Sequence, residues 1–318
     1  MNKLQFNSLI IGLSLSIGLL PSCGGGKPSG NSSQASRYFA ADESLSPIID
    51  EEYEVFTARN QRDSIFPLYI SEQEAMQKLM DREVFLVFTT RALTPDEENY
   101  LISEHYRPRV TPLAYDALAL IVNKANTDTL ITADNFRSIM AGEITSWKEL
   151  NPASNLGDIK VAFDNPKSAT LRFVVDSVME GRLVKTDGNV QAAMTSAEVV
   201  DYVENHENAI GVVGSIWLND QRDTTNVTYG RNITVMRVSA AGEADRSNSY
   251  YPSQWNIAYG YYPFIRTIYA ICIDPFSSGV PKAFANFCWL PNPGQLIFFN
   301  AGLFPARAEY SVRDVVIQ

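Results

Sequence analysis

The chain predicts an α/β protein of two blocks with an anion-binding loop in the second. Three observations carry this. From residue 66 onward, strands and helices alternate, and the strand Val84 to Phe88 is apolar throughout, as in a parallel sheet covered on both faces. A second alternating block follows between Thr132 and Val238. Within it, an apolar run from Ile159 to Phe163 ends in an Asp-Asn-Pro turn. Ser168 and Thr170 follow, and then an amphipathic helix marked by Leu171, Val174, Val175, Val178 and Met179. A strand, a Ser/Thr loop and a helix N-terminus together suit an anion, because the first-turn N–H groups are unpaired and the helix dipole is positive there. Taken alone, Ser168 or Thr170 would serve equally as an ordinary N-cap.

The elements follow in order. Ser46 to Phe56 reads as a helix whose apolar face is Ile48, Ile49, Tyr53 and Phe56, with Pro47 in its first turn. Phe66 to Ile70 is a short strand, and Ser71 with Glu74 opens a capped helix to Asp81. A helix from Pro95 to Glu104 and an apolar strand within Pro112 to Val122 complete the first block. In the second, Thr132 caps a helix to Ala141, the loop strand of 159–163 leads into a helix from Thr170 to Glu180, and Ala197 to Glu204 is helical. Ala209 to Gly214 is a buried strand, Ile233 to Val238 another, and Ser247 to Gly260 an aromatic-rich loop. The chain closes with a strand at Ile268 to Ile273 and helices at Pro281 to Trp289 and Pro293 to Ala301.

Composition narrows the function classes. The 318 residues suffice for two domains, and 45% hydrophobic with 19% charged content is that of a globular protein. A net charge of −10 and the lack of a basic stripe speak against nucleic acid. With two histidines, His105 and His206, both in polar settings, neither a metal motif nor a Ser-His pair is assembled, and no cofactor is implied. No nucleophile elbow, P-loop or dinucleotide fingerprint is present, so an enzyme is not expected. Trp147 reads as core packing, and the aromatic group from Tyr250 to Tyr262 as cleft lining, docking surface or interdomain packing.

The first 23 residues read as a leader: Lys3, an apolar run from Leu9 to Leu20, then Leu20-Pro21-Ser22-Cys23. This resembles a bacterial lipobox with Cys23 lipidated, although Pro21 is unusual there. Residues 24–36 form a Gly/Ser tether. Cys272 and Cys288 sit in apolar elements and read as buried small hydrophobes, although the compartment would permit a disulfide.

Several segments, in order, resemble the phosphate-binding protein family of bacterial phosphate ABC transporters, in its PstS-like lipoprotein form from Bacteroidetes-type bacteria. They are Asp42-Glu-Ser44-Leu-Ser46-Pro47, Phe88-Thr-Thr90-Arg91, Gly142-Glu-Ile-Thr-Ser-Trp147, Phe163-Asp-Asn-Pro-Lys-Ser168-Ala-Thr170-Leu-Arg172, Ala209-Ile-Gly211-Val and Tyr262-Pro263-Phe-Ile-Arg266. The resemblance implies a type II periplasmic-binding-protein fold, with two α/β domains closing over a ligand. Domain one would comprise 37–114 plus 263–318 and domain two 115–262, with crossings near Leu113–Asp116 and Tyr261–Arg266. It implies a phosphate site drawn from Ser44, Thr90, Arg91, Ser168, Ala169, Thr170 and Arg172. It also implies an ABC permease as partner, a lipid anchor to a bacterial membrane, a periplasmic position and a monomer. One departure stands out. The family often carries an arginine four residues before the loop serine; Asp164 occupies that position here, and Ala169 replaces a glycine. A drifted ligand, another oxyanion or a sensing or surface role is therefore the alternative expectation.

Overall fold

The computed structural model describes residues 35–60, 64–185, 189–192, 195–218 and 232–307. Cys23, the leader and most of the tether lie outside the described residues. In chain order the elements are β1 (Tyr38–Asp42), α1 (Ser46–Arg59), β2 (Phe66–Ile70), α2 (Glu72–Met80), β3 (Leu86–Thr89), α3 (Pro95–Ser103), β4 (Arg109–Asn123), β5 (Leu130–Thr132), α4 (Ala133–Met140) and α5 (Trp147–Leu150). There follow β6 (Lys160–Phe163), α6 (Ala169–Phe173), β7 (Val190–Ala192), α7 (Ser196–Asn205), β8 (Ala209–Gly214), β9 (Ile233–Val235), β10 (Arg237–Ser239), β11 (Ser249–Tyr250), α8 (Gln254–Ala258), β12 (Ile265–Cys272), α9 (Val280–Trp289), α10 (Leu296–Asn300) and β13 (Phe304–Pro305).

The main sheet runs β2-β1-β3-β12-β4-β8-β6-β7, with β9 and β13 also paired to β4. β1, β2 and β3 are mutually parallel, as are β6, β7 and β8. The two parallel sets are joined through the antiparallel strands β4 and β12. β4 is 15 residues long and serves both halves: residues 109–117 pair with β12, and 118–122 pair with β8. This gives the two-lobed, mixed α/β architecture expected from the sequence.

Each lobe has its own apolar core. In the first, Phe39, Ile48, Ile49, Phe56, Phe88 and Phe284 meet in a cluster of aromatic edges and aliphatic faces. In the second, Phe136, Trp147, Phe163, Val174 and Ile210 are fully buried, and the Trp147 indole N–H donates to the Asn208 carbonyl at 2.9 Å. Trp147 is thus a core residue, as read. Cys272 and Cys288 are buried free thiols whose ionisation is suppressed by burial, the former pushed up to about 11.

Some elements differ from the sequence reading. The first strand, Tyr38–Asp42, was not expected, because its five residues end in an acid and carry no alternation. It is buried on both sides between β2 and β3, where alternation is not required. The helix expected from Thr170 to Glu180 keeps α geometry to Phe173 and widens to a π-helical turn over Val174–Val178. The run Ile233 to Val238 breaks into two strands at Met236, and the aromatic-rich loop contains β11 and α8. The final helix begins at Leu296, after a π-helical stretch over Pro291–Gln295.

Gly211 in β8 shows how closely the second lobe is packed. A Cβ there would come within 2.7 Å of Val203 Cγ2 and 2.8 Å of Ile121 Cγ1. The Gly211→Ala variant is expected to lose about 1–3 kcal/mol of stability through overpacking, read from urea unfolding.

Candidate functional site

The site is built where strand ends of both lobes meet helix N-termini. β1 ends at Asp42 and turns at once through Glu43–Leu45, a 3-10 turn that Asp42 caps. β2 runs through Ser71 into α2, with Ser71 accepting from the Glu74 N–H as the sequence suggested. β6 ends at Phe163 and reaches α6 through Asp164 and the Asn165–Lys167 turn; Ser168 is its N-cap, accepting from the Leu171 N–H at 3.1 Å.

The donors of these helix ends converge on carboxylates of the chain itself. Asp42 Oδ1 accepts from the Ser44 N–H at 3.0 Å and the Ser44 hydroxyl at 2.5 Å. Asp42 Oδ2 accepts from the Glu72 N–H at 2.8 Å and, from the other half of the sheet, from the Ala169 N–H at 3.1 Å. Glu72 Oε1 accepts from the Thr89 hydroxyl at 2.5 Å, the Thr90 N–H at 2.9 Å and the Thr90 hydroxyl at 3.2 Å. Arg172, from the other lobe, pairs with Glu72 through its Nε and donates to the Thr90 hydroxyl at 2.9 Å. Glu43 reaches the start of α7, where Ser196 donates its N–H at 3.1 Å and its hydroxyl at 2.9 Å. The Trp217 indole N–H closes the far side on the Ser44 carbonyl at 2.9 Å.

Below this layer, β4 and β12 place Asp116 directly opposite Arg266. Both side chains are wholly buried and pair at 2.8 Å, with a second contact from Arg266 Nε at 2.9 Å. Ser215 donates to Asp116 at 2.6 Å, and Arg266 Nη2 reaches the Ser44 hydroxyl at 3.3 Å. Gly214 makes room for the guanidinium, since a Cβ there would lie 2.7 Å from Arg266 Nη2. Arg266 Nη1 has no hydrogen bond among the described residues.

The electrostatics follow from burial. Asp42 is 0% exposed; burial raises its carboxyl above the usual range, against the Ser44 and Ala169 hydrogen bonds and the charge of Arg266. Burial acts on Glu72 in the same direction, but hydrogen bonding and charge from Arg172, with the Thr89 and Thr90 donors, outweigh it, and Glu72 lies below its usual value. Asp164 is pushed up to about 7, first by burial and then by the charge of Asp42, with the Ser168 hydrogen bond and the nearby Thr170 hydroxyl opposing. Its Oδ1 accepts the Ser168 hydroxyl at 2.5 Å.

Of the residues singled out in the sequence, the structure gathers Ser44, Thr90, Ser168, Ala169, Thr170 and Arg172 at the boundary between lobes. Arg172 does not point to solvent; Glu72 holds it. Arg91 behaves differently. Its guanidinium forms a bidentate pair with Glu97 at 2.7 Å, and a third bond goes to the Ala92 carbonyl at 3.0 Å. It borders an outer groove of about 330 Å³ together with Glu72, Lys167, Ser168 and Arg172, but it is spent on its own helix start. Sequence reasoning passed over Asp42, Glu72, Asp116 and Arg266. Asp42 and Arg266 lay inside quoted motifs, and their signal was a charged residue at the end of, or within, an apolar strand.

A two-lobed α/β fold in which helix N-termini of the two halves meet at their junction defines the periplasmic-binding-protein type of ligand-binding fold. A family model described as the PBP superfamily domain matches residues 28–290, and the chain belongs to that superfamily. A phosphate-binding protein PstS of Staphylococcus saprophyticus is 25% identical over 228 residues, 70% of this chain and 69% of that protein. The PstS protein of Borreliella burgdorferi is 22% identical over 250 residues, 76% of this chain and 80% of its own. Among solved structures, a chain from Clostridium perfringens with bound phosphate superposes with a TM-score of 0.68 at 21% identity, covering 85% of this chain and 99% of that one. An ABC-type phosphate transport receptor from Vibrio cholerae gives a TM-score of 0.62 at 18% identity, with 84% and 98% covered. Among the described residues there is no cluster of His, Cys, Asp and Glu fit to hold a metal ion, and no helix long and apolar enough to cross a membrane.

Asp164 sets a pH dependence of stability. Its folded value of about 7 lies above the ordinary 3.8, so between these the folded chain keeps a proton that the unfolded chain has lost. Its contribution is therefore most favourable at low pH and fades as pH rises toward 7 and beyond. Asp164→Asn, a mimic of the protonated acid, should remove that loss. Urea unfolding from pH 4.5 to 8 is expected to show the variant gaining on wild type as pH rises, by on the order of 4 kcal/mol at most.

Proposed function

We propose that this protein is an extracytoplasmic solute-binding protein that takes up a tetrahedral oxyanion, inorganic phosphate first, between its lobes and presents it to an ABC transporter permease. One observation carries the reading: the N–H groups that begin α2 and α6, one from each lobe, meet on a single carboxylate oxygen, Asp42 Oδ2. A place that holds one anion by backbone donors from both sides suits another anion. Ser168 and Thr170 supply neutral hydroxyls at the same helix start, and Arg172 and Arg266 supply positive charge. The lobes would divide at 37–114 plus 263–318 and 115–262, hinged where β4 and β12 cross. Closure and opening replace chemistry, so no bond is made or broken. The relatives, which are phosphate-binding proteins, support the choice of ligand. The leader and lipobox-like Cys23 support a lipid anchor on a bacterial membrane, with the body held on its tether as a monomer.

A second reading is favoured by Asp164 and Asp42. Two buried carboxyls beside the anion place favour a ligand that still carries a proton, because a carboxylate accepts a hydrogen bond from it and repels a bare anion. A phosphate that keeps a hydroxyl meets that demand, whereas sulfate at neutral pH does not.

Isothermal titration with phosphate and sulfate, at pH 5.5 and pH 8, tests both. Phosphate is expected to bind, more tightly at the lower pH, with sulfate giving no heat. Silence with phosphate at both values would end the phosphate reading. The double variant Ser168→Ala with Thr170→Val is expected to weaken phosphate binding by about 2–4 kcal/mol, through two donors lost to a charged ligand.

A further inference from the structure

We propose that Asp42 is the resident ligand of the anion place: its carboxylate closes the two lobes on each other without solute, and a free oxyanion binds only by displacing it. This rests on the oxyanion reading for the nature of the incoming solute, but not for the closure itself.

The geometry is that of a bound ligand. The Asp42 carboxylate receives four hydrogen bonds, two on each oxygen, and a carboxylate offers about four acceptor positions. It is 0% exposed, so the chain's own donors are what surround it. Two of its donors come from its own turn. The other two are the first N–H groups of helices on opposite lobes, so the carboxylate bridges them. Glu72 repeats the arrangement beside it: it takes both threonine hydroxyls and the Thr90 N–H from its own lobe and Arg172 from the other. The backbone donors of both helix starts and the Thr89 and Thr90 hydroxyls are thereby already used, while Arg266 Nη1 and the Thr170 hydroxyl have no hydrogen-bond partner among the described residues.

Charge leads to the same conclusion. Asp42, Glu72, Asp116 and Asp164 gather around two guanidinium groups, Arg172 and Arg266, and Arg266 is already matched by Asp116. A further anion added to this set would lie buried among like charges, which is costly unless one of them leaves or is protonated. A side chain tethered in the same molecule also competes at an effective concentration of ~mM or higher, so a solute at micromolar levels is at a disadvantage. Asp42 thus decides how tightly, and for which solute, the cleft yields.

The test uses the purified protein freed of phosphate by an enzymatic phosphate scavenger. Small-angle scattering reports lobe closure, and titration reports phosphate affinity. Wild type should be compact without phosphate and should not contract when it is added. Asp42→Ser should be expanded without phosphate and contract with it. It should also bind phosphate about 100-fold or more tightly than wild type, since two backbone N–H groups become free for a charged ligand. If Asp42→Ser expands but no oxyanion closes it, Asp42 is the closing group as proposed and the phosphate reading fails. If phosphate-free wild type is expanded and contracts on adding phosphate, with an affinity equal to that of the variant, the proposal is overturned. Should Asp42→Ser fail to fold, Ala169→Pro serves. Proline is tolerated at a first helical position after the extended Ser168, and it removes the cross-lobe N–H while setting ring carbon against Asp42. The expanded, solute-responsive state is expected there also, and a compact Ala169→Pro protein would overturn the proposal.

Discussion

A carboxylate taken out of water has to be given donors, and the architecture at the junction of the lobes follows from that requirement. Asp42, Glu72 and Asp116 are buried at the junction of the lobes, and none can be satisfied by its own strand alone. Asp42 needs the start of α2 and the start of α6; Glu72 needs the end of β3 and Arg172; Asp116 needs Arg266 on the neighbouring strand and Ser215 beyond β8. Satisfying each of them draws in a second segment, usually from the opposite half of the sheet. The relative placement of the lobes is therefore tied to polar satisfaction more than to apolar contact, since each half of the sheet already has its own core.

The two layers of charge play different parts. Arg266 and Asp116 face each other as cross-strand neighbours on β12 and on β4, the strand that pairs into both halves of the sheet, so their pairing would move little if the lobes parted. The pair works as a fixed floor, and removing one partner would leave an uncompensated buried charge. Arg172 and Glu72 lie nearer the surface, with Arg172 25% exposed, and join elements that would separate if the lobes opened. Screening by solvent weakens such a pair, which suits a contact that has to break and re-form.

Much of the fold was legible in the sequence because it rests on local signals. The caps at Ser71, Thr132 and Ser168, the apolar strand at Val84 to Phe88 and the buried Ala209–Gly214 strand each announce themselves by pattern or by a capping residue. β1 did not, because its place between two parallel neighbours is a property of the sheet and not of its own five residues. The site was half legible for a similar reason. Ser168, Ala169 and Thr170 belong to one loop and are read together. Asp42 and Glu72 matter through donors 127 and 100 residues away, and no spacing along the chain reveals that. Arg91 shows the opposite case: a strand-end arginine looks free until α3 places Glu97 beside it.

Trp217 gives the junction an optical property. Its indole N–H is bonded to the Ser44 carbonyl, 173 residues away in the chain, in a partly buried setting. Separation of the lobes would exchange that carbonyl for water and change the polarity around an excited-state dipole. Of the other three tryptophans, Trp147 is sealed in the second core, Trp289 packs against the first core beneath the Arg307 guanidinium, and Trp255 is already 63% exposed. The colour of the intrinsic emission thus carries, at one residue, a running record of whether the chain is shut.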